Sequence, residues 1–172
     1  MTRIGLISDT HSYLDDRIIH HLQDCDQIWH AGDIGSVEVS DKLAQVANLK
    51  AVCGNIDGHL LRRIHPLEQY FELEGFKILM IHIAGKPYKY AKGIPELIYL
   101  RKPDILVCGH SHILRVEKDR KYNTLYMNPG AAGFHGFHKT RTLMRFSLDK
   151  GQMLNMEVVE LGPRLIPESE IK

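Results

Sequence analysis

The stretch DILVCGHSH, residues 104–112, joins an apolar run to two histidines that follow it directly. The apolar part has the length and composition of a buried β-strand. Gly109 ends that strand, and His110 and His112 follow as an H-x-H pair. Taken alone, such a pair is more often a feature of a loop than a metal site. Its meaning depends on whether other potential metal ligands follow strands in the same way.

Four other apolar runs of the chain also end at residues that can bind metals. Proteins with open α/β sheets bind small molecules and ions beyond the carboxyl ends of the strands, where the following loops meet. We therefore predict that these side chains converge on a single crevice. The converging residues are Asp9, His11, Asp33, Asn55, His82, His110 and His112.

The residue types in this set are those of a divalent metal site. Histidine nitrogens with carboxylate and amide oxygens, and no thiolate, favour ions such as Mn, Fe, Co, Ni or Zn. The seven residues exceed the four ligands of a closed zinc site. They suit two ions about 3.5–4 Å apart that share a carboxylate.

Three residues of the set also have a simpler interpretation. Asp33 fits a plain turn after Gly32, and Asn55 fits an Asx turn. His82 fits a hydrogen-bonded histidine of the core. Five such coincidences, one after each of five strands, explain the pattern less economically than one shared metal site.

The first third of the chain predicts parallel strands joined by helices. Ser36 is a plausible N-cap for the second helix. A β-α-β-α-β order implies parallel pairing through right-handed crossovers. The three strands are predicted over residues 3–9, 27–33 and 49–55, and the two helices over residues 14–24 and 36–48.

The remaining segments predict a second group of strands. We expect a hairpin with its turn at Gly75, and a helix that ends at Pro103. Later segments alternate apolar and polar residues, as half-exposed antiparallel strands do. The prediction is one α/β domain over residues 1–172, in which a mixed sheet with helices merges into hairpins packed as a second sheet. The tail, from about residue 163 to 172, is expected to be peripheral.

The composition is that of an ordinary soluble globular protein. Of the 172 residues, 44% are hydrophobic and 25% are charged. Lys plus Arg number 22 and Asp plus Glu 21, so no bulk charge favours nucleic acid or an anionic membrane. Three cysteines without C-x-x-C spacing, and an N-terminus unlike a signal peptide, predict a cytoplasmic location. No apolar run approaches the ~20 residues of a membrane span. A homo-oligomer is left open.

The series D-x-H, G-D, G-N, H and G-H-x-H resembles the motifs of the calcineurin-like metallophosphoesterase superfamily. The chain length and the segment MNPGA at residues 127–131 look like its small YfcE-type phosphodiesterases. The resemblance spans about residues 1–160. It implies a four-layer αββα sandwich of two mixed β-sheets flanked by helices, the metallo-dependent phosphatase fold. It also implies two divalent metal ions per chain, with manganese favoured and Ni, Fe, Co or Zn as alternatives.

The resemblance also implies a role for each residue of the set. Asp33 would bridge the two ions, and Asp33 and Asn55 would act in catalysis by positioning through the metals. The substrate would be a small phosphoester, in particular a phosphodiester attacked by a metal-bridging hydroxide. One ion would be bound by Asp9, His11, Asp33 and His112, the other by Asp33, Asn55, His82 and His110.

Two other functions remain open at this point. A non-catalytic protein-interaction scaffold is one, because the retromer subunit of the same fold binds partners and has a degraded metal site. A phosphomonoesterase or protein phosphatase is the other. The short chain leaves little room for substrate-specific insertions, which favours small phosphoesters.

The sequence departs from the family pattern at two places. Many members carry a histidine after the asparagine of the G-N motif, where it protonates the leaving group, whereas this chain has Ile56. Ile83 and Ala84 replace the residues expected after His82. Weaker candidates for substrate contact or proton donation, each equally explained as a solvated loop residue, are Lys86, Tyr88, His135 and His138.

Overall fold

A computed structural model describes residues 1–165 of the chain. The strands are β1 (Thr2–Ile7), β2 (Gln27–His30), β3 (Asn48–Ala51), β4 (Glu68–Leu73), β5 (Phe76–Ile81), β6 (Gly85–Lys86), β7 (Lys89–Tyr90), β8 (Ile105–Val107), β9 (Leu114–Asp119), β10 (Thr124–Pro129), β11 (Thr140–Asp149) and β12 (Gln152–Pro163). The helices are α1 (Asp16–Leu22), α2 (Val37–Val46), α3 (His59–Ile64) and α4 (Ile94–Arg101).

The first sheet has the strand order β12-β11-β1-β2-β3. Strands β1, β2 and β3 are parallel, as the β-α-β-α-β order predicted. Helix α1 begins at Asp16 rather than at residue 14, because the Asp15 carboxylate accepts the Ile18 N–H at 2.9 Å and caps the helix there. Ser36 does occupy the N-cap position of α2, although its side chain makes no capping hydrogen bond.

The second sheet has the order β4-β5-β8-β10-β9. Strands β5, β8 and β10 are parallel, and β4 and β9 are antiparallel edges. The β4–β5 hairpin turns at Glu74 and Gly75, as predicted, with φ of +50° and +82°. Two successive positive φ angles are typical of the type I′ turn that suits a twisted hairpin.

One part of the predicted arrangement is wrong. The β11–β12 hairpin was expected in the second sheet, but β11 pairs antiparallel with β1 and so extends the first. Most of β11 is buried, which is typical of an inner strand and not of a half-exposed one. The second sheet instead takes β5 and β8, two of the strands that lead into the predicted metal site.

Three apolar clusters lie between the layers of the molecule and pack them together. One packs α1 and α2 on the outer face of the first sheet, through residues such as Ile18 and Leu43. A second lies between the two sheets, where the fully buried Trp29 stacks edge-on against Phe71 and Phe146. The third packs α4 on the second sheet. The order helix, sheet, sheet, helix confirms the predicted αββα sandwich.

Several short features were not predicted. Helix α3 and the β6–β7 hairpin are too short for their periodicity to be read from the sequence.

The three cysteines, Cys25, Cys53 and Cys108, are buried and form no disulfide bond. Within residues 1–165, no helix combines the length and apolar character needed to cross a membrane. Arg164, inside the predicted tail, donates from Nε to the His138 carbonyl at 2.8 Å; residues 166–172 lie outside the described part.

Candidate metal centre

The predicted site residues lie together at the end of the sandwich where strands of both sheets terminate. The side chains were predicted to converge on a single crevice, and the strands that they follow come from both sheets, three from the first and two from the second. The candidate metal centre therefore lies between the two sheets, at the end of the sandwich where these five strands terminate. Each residue follows its strand within a few positions: Asp9 and His11 follow β1, Asp33 follows β2, Asn55 follows β3, His82 follows β5, and His110 and His112 follow β8.

Six of these side chains form two groups that could each hold a metal ion. We call Asp9, His11 and His112 the first group, and Asp33, His82 and His110 the second group. Within each group the potential ligand atoms all lie within 4.8 Å of one another.

The Asp33 carboxylate joins the two groups. Its Oδ2 lies 3.5 Å from Nε2 of His11, and its Oδ1 lies 3.3 Å from Nε2 of His82. The Asn55 carbonyl oxygen lies 3.1 Å from the same His82 nitrogen, which adds a neutral oxygen to the second group. Asp33 therefore has one carboxylate oxygen near each group, whereas a single oxygen of Asp9, Oδ1, lies 3.1 Å from His112 Nε2 and 4.0 Å from His82 Nε2.

Unpartnered polar atoms in the first group fit a bound cation. Asp9 Oδ1 is buried without a hydrogen-bond partner, although His112 Nε2 lies 3.1 Å away. His11 Nδ1 is also buried and unpartnered. Buried polar atoms are nearly always hydrogen-bonded, and a buried carboxylate oxygen without a partner is costly. A divalent cation is the kind of partner that a carboxylate and two imidazoles would satisfy.

The backbone of the site is held in an unusual conformation. Asp9, His11, Asp33, His110 and His112 have φ between +48° and +67°. Non-glycine residues rarely adopt this left-handed region, and such residues concentrate at functional sites. Backbone hydrogen bonds hold two of the loops together, because the Asp9 and His11 N–H groups donate to the Gly32 and Asp33 carbonyls at 3.0 Å.

Two glycines allow the loops to approach closely. A Cβ atom on Gly54 would overlap the Asp33 carboxylate, and a Cβ on Gly109 would overlap the Ser8 hydroxyl and press on Asp9. Any side chain at either position would displace a carboxylate of the site. The G-N and G-H motifs thus contain glycine for steric reasons.

A buried carboxylate, Asp57, supports the second group. It accepts the backbone N–H groups of Gly54 at 2.7 Å, Gly35 at 2.8 Å and Ile34 at 3.2 Å. These bonds connect the loop that carries Asp33 with the loop that carries Asn55. Sequence reasoning missed this role; the available signal was an acid two residues after Asn55 in a glycine-rich turn.

A buried histidine, His30, supports the first group. Its Nδ1 accepts the Gly32 N–H at 3.2 Å, so Nε2 carries the proton and donates to Thr10 Oγ1 at 2.9 Å. The Thr10 hydroxyl in turn donates to the Ile34 carbonyl at 3.0 Å. Complete burial disfavours the imidazolium and lowers the pKa of His30 to about 4. This histidine was not singled out from the sequence, where it reads as an ordinary strand residue.

The second group satisfies its own polar atoms. His82 Nδ1 donates to the Ala31 carbonyl at 2.8 Å, which turns Nε2 toward Asp33 and Asn55. Burial lowers the pKa of His82, but the hydrogen bond to Asp33 and the charges of Asp9 and Asp33 outweigh it, so the pKa is raised. Burial conversely raises the pKa of Asp33, and the bond to His82 brings it below its usual value.

The two groups open onto a cleft of about 240 Å³. His135 contributes to its wall, with its ring stacked on that of His11 at a centroid distance of 4.6 Å. His138 does not line the cleft; its Nε2 donates to the Gly133 carbonyl at 3.0 Å, and its ring supports His112 edge-on. Lys86 lines a neighbouring pocket instead, and Tyr88 is exposed on the β6–β7 turn.

Comparison with known proteins gives the family of the chain. The sequence profile of the calcineurin-like phosphoesterase superfamily domain matches residues 2–151. The chain is 33% identical to a probable metallophosphoesterase of Methanocaldococcus jannaschii, over 97% of this chain and 82% of that protein.

Two solved structures show the same fold. A novel archaeal phosphodiesterase superposes with a TM-score of 0.72 at 23% identity, covering 91% of this chain and 99% of that one. Vps29 of Chaetomium thermophilum superposes with a TM-score of 0.74 at 16% identity, covering 94% and 97%. These low identities show a shared fold alone, whereas the profile and the sequence relative show descent. The chain belongs to the calcineurin-like phosphoesterase superfamily.

Proposed function

We propose that the protein is a metal-dependent phosphodiesterase that binds two divalent ions, one in each group. The observation that carries the proposal is the pair of adjacent ligand groups joined by Asp33 and open to one cleft. Two-metal sites of this kind serve in-line displacement at phosphorus. Imidazole, carboxylate and amide donors without thiolate fit Mn, Fe, Co, Ni or Zn, and manganese, which the family resemblance favours, is the first ion to test.

The ions, when bound, offset the charge of the phosphoryl oxygens and make a bound water a better nucleophile. The residues of the chain hold this arrangement in place. Asp33 carries the negative charge that both groups share, and Asn55 provides a neutral oxygen at the edge of the cleft. Asp57 and His30 fix the loops that carry these side chains.

The cleft offers no proton donor at the position after Asn55. The Ile56 N–H donates to Asp33 Oδ1 at 3.1 Å, so the backbone positions the carboxylate while the apolar side chain lines the cleft. Help from a general acid is typically worth about 10²–10⁴-fold in rate. Esters with good leaving groups, such as aryl phosphodiesters, should therefore react much faster than alkyl diesters.

A panel of phosphodiesters and phosphomonoesters tests the proposal, each assayed with Mn, Ni, Zn and Mg. We expect turnover of aryl diesters that depends on added metal and exceeds turnover of the matched monoesters. A series of diesters from phenol to alkyl leaving groups should show a steep dependence of rate on leaving-group pKa. Preference for monoesters would redirect the assignment to a phosphomonoesterase or protein phosphatase. A flat dependence would show that a general acid exists, and His135→Ala would test the histidine at the cleft wall.

The scaffold alternative is distinguished by metal content and turnover together. A scaffold of this fold need not bind metal in stoichiometric amounts or hydrolyse any phosphoester. Protein purified from metal-supplemented medium should contain about two ions per chain under the two-metal scheme. A metal-free, inactive chain that is well folded would favour the scaffold.

A further inference from the structure

A second groove lies directly beside the candidate metal centre. It has a volume of about 260 Å³ and shares Asn55 with the cleft. His82 of the second group also lines it, so the groove opens next to the ligand atoms. We call it the Leu67 groove; it is lined by Cys53, Gly54, Asn55, Arg62, Leu67, Ile81, His82 and Ile83.

The walls of the Leu67 groove are apolar and exposed. Leu67 is 57% exposed and Ile83 is 40% exposed. Single exposed apolar side chains are common on protein surfaces. Here two of them face the same depression beside a polar centre, and the half-buried Ile81 lies with them. Such an arrangement, apolar walls with a few polar groups at one end, is typical of a small-molecule site.

Arg62 forms a fixed cationic side of the groove. Its Nε donates to the Asp57 carbonyl at 2.7 Å, and its Nη2 donates to the Gly54 carbonyl at 3.5 Å. The guanidinium is thereby tied to the loop that carries Asn55. A positive charge at this place favours an anionic phosphoester whose substituent lies along the groove.

We propose that the Leu67 groove binds an apolar, aryl-sized substituent of the phosphoester, the one that remains on phosphorus after hydrolysis. The inference rests on the proposed phosphodiesterase function. Leu67 and Ile83 are then specificity-determining residues. A cavity of about 150 Å³ with apolar walls holds a benzene ring, so the groove has room for one ring and its linkage. Apart from Arg62 and the site residues, the lining has no polar side chain that could hydrogen-bond to the hydroxyl groups of a sugar.

Binding of two phosphonates tests the inference without any turnover. Phenylphosphonate and methylphosphonate differ only in the substituent on phosphorus, and their affinities for the Mn²⁺-loaded protein are measured by calorimetry. We expect phenylphosphonate to bind about tenfold more tightly, the scale at which apolar pockets distinguish substituents. In the double variant Leu67→Ser/Ile83→Ser the ratio should fall to within about twofold of unity. Leu60→Ser, at an exposed leucine of α3 outside the groove, is the matched control.

A second variant and a turnover assay complete the test. Leu67→Phe places a ring in the groove and should also remove the phenyl preference, by steric occlusion. Phenyl and methyl 4-nitrophenyl phosphate share one leaving group, so their kcat/KM ratio reports the same preference in hydrolysis. An unchanged phenyl preference in both groove variants would overturn the inference. A preference that disappears in them, combined with no hydrolysis of either ester, would support the groove and overturn the phosphodiesterase proposal.

Discussion

The first and second groups contain the same kinds of side chain, but their polar atoms are in different situations. The second group hydrogen-bonds within itself: His82 contacts Asp33 at 3.3 Å and Asn55 at 3.1 Å, and its other nitrogen donates to Ala31. The first group keeps Asp9 Oδ1 and His11 Nδ1 buried without partners. Both groups contain imidazole–carboxylate contacts, with His112 Nε2 3.1 Å from Asp9 Oδ1 in the first, so the two groups differ chiefly in the buried atoms that have no hydrogen-bond partner.

This difference predicts unequal metal affinities. An ion entering the first group satisfies atoms that otherwise have no partner, and it gains the charges of both Asp9 and Asp33. An ion entering the second group competes with protonation of His82, whose pKa is raised above its usual value. We therefore expect the first group to bind its ion more tightly, and the second group to bind more weakly and with a stronger dependence on pH.

The largest effect is expected from the residue that both groups share. Asp33→Asn removes charge from each group, and we expect kcat/KM for an aryl diester to fall by more than about 100-fold, since loss of an outer-shell partner alone costs about 10–100-fold. Asn55→Ala removes one neutral oxygen from one group and should cost less. Both rates and metal contents are measured. Near-normal turnover and full metal content in Asp33→Asn would end its assignment as the bridging residue.

Loss of Asp57 should affect the second group more than the first. Asp57→Asn weakens three hydrogen bonds to backbone N–H groups that fix the loops of Asp33 and Asn55. We expect a loss of about 10-fold in kcat/KM and of about 1–3 kcal/mol in the free energy of unfolding. Denaturant unfolding and metal titration measure these changes. Asp41→Asn, at an exposed position of α2, is the control and should change neither quantity. Equal weakening of both metal-binding steps would argue against a local role.

Much of the site could be predicted because its residues follow strands that are easy to recognise. The apolar runs before Asp9, Asp33 and His110 mark strand ends, and strand ends share an edge of the sandwich. The division of His110 and His112 between two groups came from the family resemblance, and the structure brings them together in the same division.

The parts that could not be predicted depend on tertiary contacts. Nothing in the local sequence shows that β11 pairs with β1 and leaves β5 and β8 to the second sheet. Asp57 and His30 act through groups distant in the chain, the Ile34 N–H and the Thr10 hydroxyl, and Lys86 lines a neighbouring pocket instead of the cleft. The sequence was sufficient to identify the candidate metal-binding side chains. The residues that hold their loops in place by hydrogen bonds could be identified only from the folded structure.

The smallest effect at neutral pH is expected from His30, which supports the first group. Its folded pKa of about 4 lies below the unfolded value of 6.5, so the unfolded chain binds more protons between these values. The contribution of His30 to the free energy of unfolding is therefore fully present above about pH 6.5 and is lost as the pH falls toward 4. We expect this histidine to contribute up to about 3 kcal/mol to that decline.

The contribution of His30 is measured on chelator-treated protein by denaturant unfolding across this range. His30→Gln retains a polar side chain but does not titrate, so its stability should depend less on pH than that of the native protein. His20→Gln, at an exposed histidine of α1, is the control and should leave the profile unchanged. Identical slopes in the native and His30→Gln proteins would remove His30 as the cause.

The most direct test of the two-group account is a calorimetric titration of the metal-free protein with Mn²⁺ at several pH values. We expect two ions per chain in two steps, with the weaker step strengthening as pH rises. Asp9→Ala should abolish the tighter step, and His82→Ala should abolish the weaker, pH-dependent step while leaving the other in place. A single ion per chain, or two steps that both variants weaken equally and that respond alike to pH, would contradict the account.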